Sequence, residues 1–228
     1  MHTPPLALTL DLDDTLWPIW PAIERAESVL HAWLAVHAPA TAHRFNPRGL
    51  RSLRDAVALE NPHWVHDLSA IRRESLRRAL LLAGDDPSLD QAAFDIFFDA
   101  RQQVVLYDDA LAALRRLSQR FPLMALTNGN ADLDRIGLAA FFRGSVTARS
   151  LGVAKPDSRI FHHACASLGC APAQVLHVGD DFELDVAGAV NAGLQAVWLR
   201  RESVAVPSAG EGYRVFTDLT ALADALLG

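Results

Sequence analysis

The sequence predicts a parallel α/β sheet with helices on both faces, interrupted after its first strand by an all-helical insert. Three observations lead there. Short apolar runs ending in polar or glycine-rich turns recur at residues 6–10, 122–126, 145–148, 174–178 and 195–199. Helix-period stretches at 108–120, 131–141, 157–169 and 183–193 precede the last four of these runs, one each. Between 17 and 105, by contrast, only helix-length stretches occur, at 21–37, 47–60, 67–83 and 88–105. Strands that alternate with helices need crossover connections, and so form a parallel sheet covered on both sides. The expected architecture is a Rossmann-like doubly wound sheet.

Taken in order, Leu6-Ala7-Leu8-Thr9-Leu10 is almost wholly apolar and too short for a helix, which marks a buried strand. It runs into Asp11-Leu12-Asp13-Asp14-Thr15. The helical stretches that follow are separated by Pro39, Asn46-Pro47, Asn61-Pro62 and Gly84-Asp85-Asp86-Pro87, all turn signals. Pro122 to Leu126 then leads into Thr127-Asn128-Gly129-Asn130, and Ser145 to Ala148 forms a weaker third strand. Gln174 to Val178 leads into Gly179-Asp180-Asp181, and Gln195 to Leu199 is the fifth strand. Arg200 to Gly212 reads as a surface loop, followed by a short strand or turn and a last helix at 218–227. The expected domains are an α/β core over 1–16 and 106–228 and a helical cap over 17–105. An insert at that point reads as a lid over the ends of the strands.

A chain of 228 residues that is 50% hydrophobic is long enough for one substantial core and a smaller lobe. Acidic residues outnumber basic ones, 27 to 21, and a net charge of −6 argues against nucleic-acid or anionic-membrane partners. A small molecule is the expected partner, with a monomer or a homodimer equally open. The first residues carry no basic signal-peptide region, Asp11 cuts the first apolar run, and no stretch is long enough to span a membrane. Cys165 and Cys170, five apart, are expected to be free thiols, which points to the cytoplasm.

Carboxylates crowded at a strand end repel one another and lose solvation, so a fold keeps them there only with a compensating cation. Asp11 and Asp13, two apart, point the same way if strand geometry persists. One can then attack while the other carries a proton. A calcium loop does not fit, since its sixth and twelfth positions would be Leu16 and Ala22 instead of Gly and Glu. At the second strand end, the Thr127 hydroxyl, Asn128 and the amides near Gly129 are suited to phosphate oxygens. Lys155 is the only lysine, against twenty arginines, and its compact point charge suits a phosphate-neutralising role. Asp180 and Asp181 offer oxygen ligands for Mg²⁺. Asp185 is suited either to a helix start or to holding Lys155.

At four successive strand ends, Asp11-x-Asp13-x-Thr15, Thr127, Lys155 and Gly179-Asp180-x4-Asp185 resemble the four signatures of the haloacid dehalogenase-like superfamily. The resemblance spans the chain and includes the place of the helical cap. It implies that Asp11 is a nucleophile forming an aspartyl-phosphate and that Asp13 is general acid, then base. It also implies Mg²⁺ held by Asp11, Asp180 and the Asp13 backbone carbonyl, with Thr127, Asn128 and Lys155 gripping the phosphoryl group. Thr15, Asp181 and Asp185 would support the lysine and the metal. The stretches around Asp11 to Trp17, Thr127 to Ala131 and His177 to Asp181 are similar to a bacterial subgroup of flavin-pathway phosphatases. Those act on 5-amino-6-(5-phospho-D-ribitylamino)uracil or flavin mononucleotide.

Asp13 favours a phosphomonoesterase, because a departing halide needs no proton. Phosphonate cleavage would need a cap lysine, and this cap has none. Other sugar phosphates, nucleotides and a phosphomutase stay open. A receiver-like phosphoacceptor also uses Asp, Thr and Lys, but places its acceptor on a later strand of a chain about half as long. A non-catalytic binding protein would have no chemical need for Asp11, Asp13, Lys155 and Asp180 together. Trp17 is a candidate substrate contact. Trp20, Trp33 and Trp64 are expected to pack between helices, and Arg48, Arg51, Arg54, Arg72, Arg73, Arg77 and Arg78 to form a solvated basic face. His162-His163 lacks the ligand spacing of a zinc site.

Overall fold

The computed structural model describes residues 4–201 and 212–228, so most of the loop expected over Arg200 to Gly212 lies outside the described residues. The chain divides into two compact units, Met1–Pro18 with Val105–Gly228, and Ile19–Val104. Among the described residues no helix is long and apolar enough to cross a membrane.

The first unit carries strands β1 (Ala7–Leu10), β2 (Leu123–Thr127), β3 (Ser145–Thr147), β4 (Val175–Gly179), β5 (Gln195–Leu199) and β6 (Tyr213–Phe216). They form one parallel sheet in the order β3-β2-β1-β4-β5-β6. Every residue of β1, β2 and β4 is buried, which is why these strands read as continuous apolar runs without alternation. The chain builds β2 and β3 on one side of β1, then crosses to β4, β5 and β6 on the other. Ligands bind at such a reversal of strand order, beyond the carboxyl ends. There the Asp11 amide donates to the Val178 carbonyl at 2.9 Å, extending the β1–β4 ladder past the strand. Leu126, Val146, Ile160, Phe161, Val175, Val186 and Leu194 are among the residues of the core under one face.

The helical unit comprises α1 (Ile19–His37), α2 (Pro39–Arg44), α3 (Pro47–Glu60), α4 (Leu68–Ala83) and α5 (Asp90–Arg101), with its own core of Leu30, Leu34, Leu76, Leu80, Phe94 and Phe97 among others. Asn46 and Asp67 cap α3 and α4 by accepting from Gly49 and Ala70, and Gly84 at φ 84° ends α4. Pro39 opens α2 where the sequence suggested only a turn, because proline at a first helical position loses no needed N–H. The expected basic face is largely paired: Arg73 with Asp90 at 3.2 Å, Arg77 and Arg78 each with Glu74 at 2.8 Å. Arg72 is buried, with its guanidinium 3.6 Å from the Phe97 ring centroid. Buried Glu27 accepts from Arg51 Nη2 at 2.5 Å and lies 4.0 Å from Arg72. Glu27→Gln should therefore cost about 2–3 kcal/mol in urea unfolding, between surface and buried ion-pair values. An unchanged midpoint would show that water already solvates these guanidiniums.

In the first unit the remaining helices are α6 (Ala110–Arg120), α7 (Leu133–Ile136), α8 (Ala148–Leu151), α9 (Ser158–Leu168), α10 (Gly188–Asn191) and α11 (Leu219–Leu227). Two expected helices are shorter than their patterns. The stretch 131–141 breaks at Gly137, whose φ of 84° ends α7, and resumes as one 3₁₀ turn, Ala139–Phe141. The stretch 183–193 opens as a wide π-type turn, Phe182–Ala187, before α10. That turn carries Asp185 inward, where it is buried.

Candidate active site

The site grows from the ends of β1, β2 and β4 and the loop before α9. Asp157 caps α9 by accepting from the Arg159 amide at 2.9 Å, and Lys155 lies two residues earlier. Its backbone is clamped by Asn128, whose Oδ1 accepts from the Lys155 amide at 2.8 Å and whose Nδ2 donates to the Lys155 carbonyl at 3.0 Å. The lysine side chain points inward and is buried. Its Nζ donates to Asp11 Oδ1 at 2.5 Å and to Asp185 Oδ1 at 2.6 Å. Burial alone would discharge this ammonium, but Asp11 and Asp185 outweigh it and hold its pKa above that of an ordinary lysine. Lys155 is thus a fixed cation.

Asp185 is the anchor. Besides Lys155, its Oδ1 faces His177 Nε2 at 3.0 Å, and its Oδ2 accepts from the Asp181 amide at 3.1 Å. Burial works against its charge, yet Lys155 and His177 hold its carboxyl well below the usual range. Gly179 makes this possible, because a Cβ there would lie 2.2 Å from Asp185 Cγ.

Asp11 is in the opposite position. Burial pushes its pKa well above the carboxylate range, with Asp185 and Asp13 adding to the rise and Lys155 opposing it. Asp180 is pushed up to about 7, chiefly by burial and then by the charge of Asp185, while its Oδ1 accepts from Thr15 Oγ1 at 3.1 Å. Carboxylate oxygens of Asp11, Asp180 and Asp185 lie within 4.8 Å of one another. Because both Asp185 oxygens already accept hydrogen bonds, Asp11 and Asp180 are the carboxylates left for a cation. The donors are all hard oxygens, and their combined charge exceeds that of the one lysine among them. The cluster fits a hard divalent cation.

Several expected site residues have other work in this geometry. Trp17, expected to touch substrate, is fully buried; its Nε1–H donates to Asp13 Oδ1 at 2.9 Å. The turn that makes this contact has Asp14 at φ 57°, with its amide donating to the Trp17 carbonyl at 2.8 Å. Asn128, expected on phosphate, spends its amide on the Lys155 backbone. Asp181, expected beside the metal, turns its carboxylate onto the Glu183 and Leu184 amides at 2.9 and 2.8 Å, so it reaches the lysine only through its own N–H to Asp185. The Thr127 hydroxyl accepts from the Gly129 amide at 2.9 Å and so shapes the turn at the end of β2.

Among the buried polar residues of the sheet, Thr9 and His177 have no role assigned from the sequence. The signal was present, since each interrupts an otherwise apolar buried strand. Beside Asp180 a cavity of about 410 Å³ is lined by Asp14, Tyr107, Trp198, Leu199, Arg200 and Arg201. Arg201 donates to the Thr15 carbonyl at 2.7 Å and to Asp109 at 2.9 Å, with its guanidinium 3.8 Å from the Tyr107 ring centroid.

Residues 6–193 match the haloacid dehalogenase-like hydrolase family. The chain is 35% identical over 201 residues to the 5-amino-6-(5-phospho-D-ribitylamino)uracil phosphatase of Escherichia coli (strain K12), covering 86% of this chain and 84% of that protein. It is 30% identical over 203 residues to a glyceraldehyde 3-phosphate phosphatase of Methanopyrus kandleri, with coverage of 86% and 84%. Among solved structures, a 2-haloacid dehalogenase from Pseudomonas syringae pv. Tomato DC3000 superposes with a TM-score of 0.89 at 35% identity, over 98% of both chains.

Proposed function

The chain belongs to the haloacid dehalogenase-like hydrolase family, and from that footing we propose that it is a cytoplasmic, Mg²⁺-dependent phosphomonoesterase working through an aspartyl-phosphate on Asp11. The observation that carries this reading is the division of labour between two aspartates two residues apart. Asp11 is buried against the fixed cation Lys155, whereas Asp13 is aimed by the Trp17 indole.

An Asp11 oxygen attacks phosphorus, forming a P–O bond as the bond to the leaving alcohol oxygen breaks. Asp13, protonated at this stage, gives its proton to that oxygen. It then takes a proton from the water that attacks the acyl-phosphate, which frees inorganic phosphate and restores Asp11. Lys155 balances the negative charge that builds on the transferred group, and Asp185 keeps its ammonium in place. Mg²⁺ held by Asp11, Asp180 and the Asp13 carbonyl would supply further charge neutralisation at the same oxygens. The likeness to the Escherichia coli phosphatase supports 5-amino-6-(5-phospho-D-ribitylamino)uracil as a substrate, and flavin mononucleotide is the other candidate from the sequence.

The dehalogenase likeness supports a second reading, in which Asp11 displaces halide from carbon. Asp13 favours the ester reaction, since a halide leaves without a proton. Release of phosphate from sugar phosphates, nucleotides, flavin mononucleotide and the ribitylaminouracil phosphate, and of chloride from 2-chloropropionate, separates the two. Mg²⁺-dependent phosphate release that Asp11→Asn abolishes is expected. Chloride release alone would overturn the proposal, and an isomerised sugar phosphate without free phosphate would mark a mutase.

Trp17→Phe keeps the buried ring but removes the donor to Asp13. We expect kcat to fall about tenfold with KM little changed, the signature of an interaction used in the transition state. Equal rates would show that Asp13 is aimed by other contacts.

Cation binding should depend on pH. Because the Asp180 carboxyl holds its proton up to about 7, the cation must displace that proton at lower pH. Titration calorimetry should show Mg²⁺ bound roughly tenfold more weakly at pH 6 than at pH 8, with one proton released. Affinity that does not change between these values would remove Asp180 from the ligand set.

A further inference from the structure

Behind Lys155 and Asp185 a line of buried polar groups begins with two that the reaction scheme leaves unused. Thr9 and His177 are direct partners in the register of β1 and β4, so their side chains meet on one face of the sheet, and both are fully buried. Thr9 Oγ1 lies 2.8 Å from His177 Nδ1, and His177 Nε2 lies 3.0 Å from Asp185 Oδ1. From Asp185 the line continues to Lys155 Nζ at 2.6 Å and ends on Asp11 Oδ1 at 2.5 Å. Thr9 lies on β1, two residues before Asp11, which follows the end of that strand. The line therefore starts on β1 and finishes just past its end, looping through β4 and the loop before α9.

We propose that Thr9 and His177 are positioning residues, which hold Asp185 against Lys155 and so fix the lysine ammonium beside Asp11. The proposal deepens the phosphatase reading and rests on it for its effect on rate.

Donor counting supports it. An ionised Asp185 can only accept, so His177 must carry its proton on Nε2. A neutral imidazole then has Nδ1 as an acceptor, and the Thr9 hydroxyl is placed to donate to it. Burial favours that neutral form, lowering the His177 pKa, although Asp185 works the other way. The hydroxyl thus selects the tautomer that reaches Asp185. Asp185 also needs this restraint, because its oxygens lie within reach of the cluster formed with Asp11 and Asp180. Held by His177 and Lys155, it stays with the lysine. The edge of the Phe161 ring meets the imidazole with centroids 5.2 Å apart, so packing alone is the competing explanation.

The presence of one lysine in the chain provides a direct test. In protein labelled with lysine carrying ¹⁵N at Nζ, only Lys155 gives a side-chain signal. Thr9→Val, isosteric but without the hydroxyl, and His177→Leu should shift that signal and speed the exchange of its protons. Thr9→Ser and His177→Gln, which keep a donor at the critical atom, should restore it. In turnover, Thr9→Val and His177→Leu should lower kcat by roughly 10- to 100-fold, as loss of an outer-shell partner does, with KM moving less than threefold. An unchanged lysine signal in folded Thr9→Val would overturn the proposal, and that variant decides the matter if His177→Leu does not fold. The lysine signal is read without substrate. A shifted signal in a protein that releases no phosphate would refute the phosphatase reading and leave the positioning role standing.

Discussion

Asp11→Asn should abolish turnover, lowering kcat by a factor on the order of 10⁴ or more, without harming the fold. The loss follows from the chemistry, since an amide oxygen is a poor nucleophile and no acyl-phosphate can form. The intact fold follows from electrostatics. Burial raises the Asp11 pKa, so folding favours its protonated form. As pH rises from the ordinary carboxylate range through that raised value, ionising Asp11 costs the folded state stability. A neutral isostere removes the cost at pH 7, and the metal-free variant should melt at or above the wild-type temperature. Rapid-quench detection of phosphoenzyme and a thermal melt check both halves. Near-normal turnover would remove Asp11 as nucleophile. A large drop in melting temperature would instead mean that the Asp11–Lys155 pair contributes net stability.

The second large effect comes from a residue with no functional group. Gly179→Ala should lower kcat at least 100-fold and destabilise the protein by about 3 kcal/mol, combining overpacking with loss of buried hydrogen bonds. The new Cβ would lie 2.2 Å from Asp185 Cγ and 2.3 Å from its Oδ2. Neither partner has room, because β4 is paired on both sides and the Asp185 side chain is enclosed. Asp185 must move, and with it the contacts to Lys155 and His177. Urea unfolding and steady-state kinetics would read the two effects together. Wild-type behaviour would mean that Asp185 has a second, equally good position.

Much of the architecture was legible because it is local. The apolar runs of β1, β2 and β4 mark themselves, since strands buried on both faces need no polar alternation. Helix patterns placed before each later strand made the sheet parallel, and the helix-length stretches between 17 and 105 marked where the alternation stops. Asp11, Asp13, Lys155 and Asp180 stood out for similar reasons, as charges at the ends of apolar strands. Lys155 stood out further because arginine serves every other basic position.

What the sequence could not show are the partners that each side chain finds across the fold. Asn128 is aimed at Lys155, 27 residues on, and Thr9 meets His177 across 168 residues. Trp17 reads as an aromatic at the mouth of the site, yet it is enclosed and donates to Asp13. Asp181 looks like one of two cation ligands, but its Oδ1 caps the turn that it starts, and it is not part of the cluster of Asp11, Asp180 and Asp185. Local periodicity determines which segments become strands and helices, and charge at a strand end marks where chemistry gathers. Hydrogen bonds between distant segments depend on strand order and register, which many alternative pairings of equal local propensity would satisfy. Only burial of the whole sheet selects among them, and so only the tertiary structure decided that Asp185 belongs to the lysine.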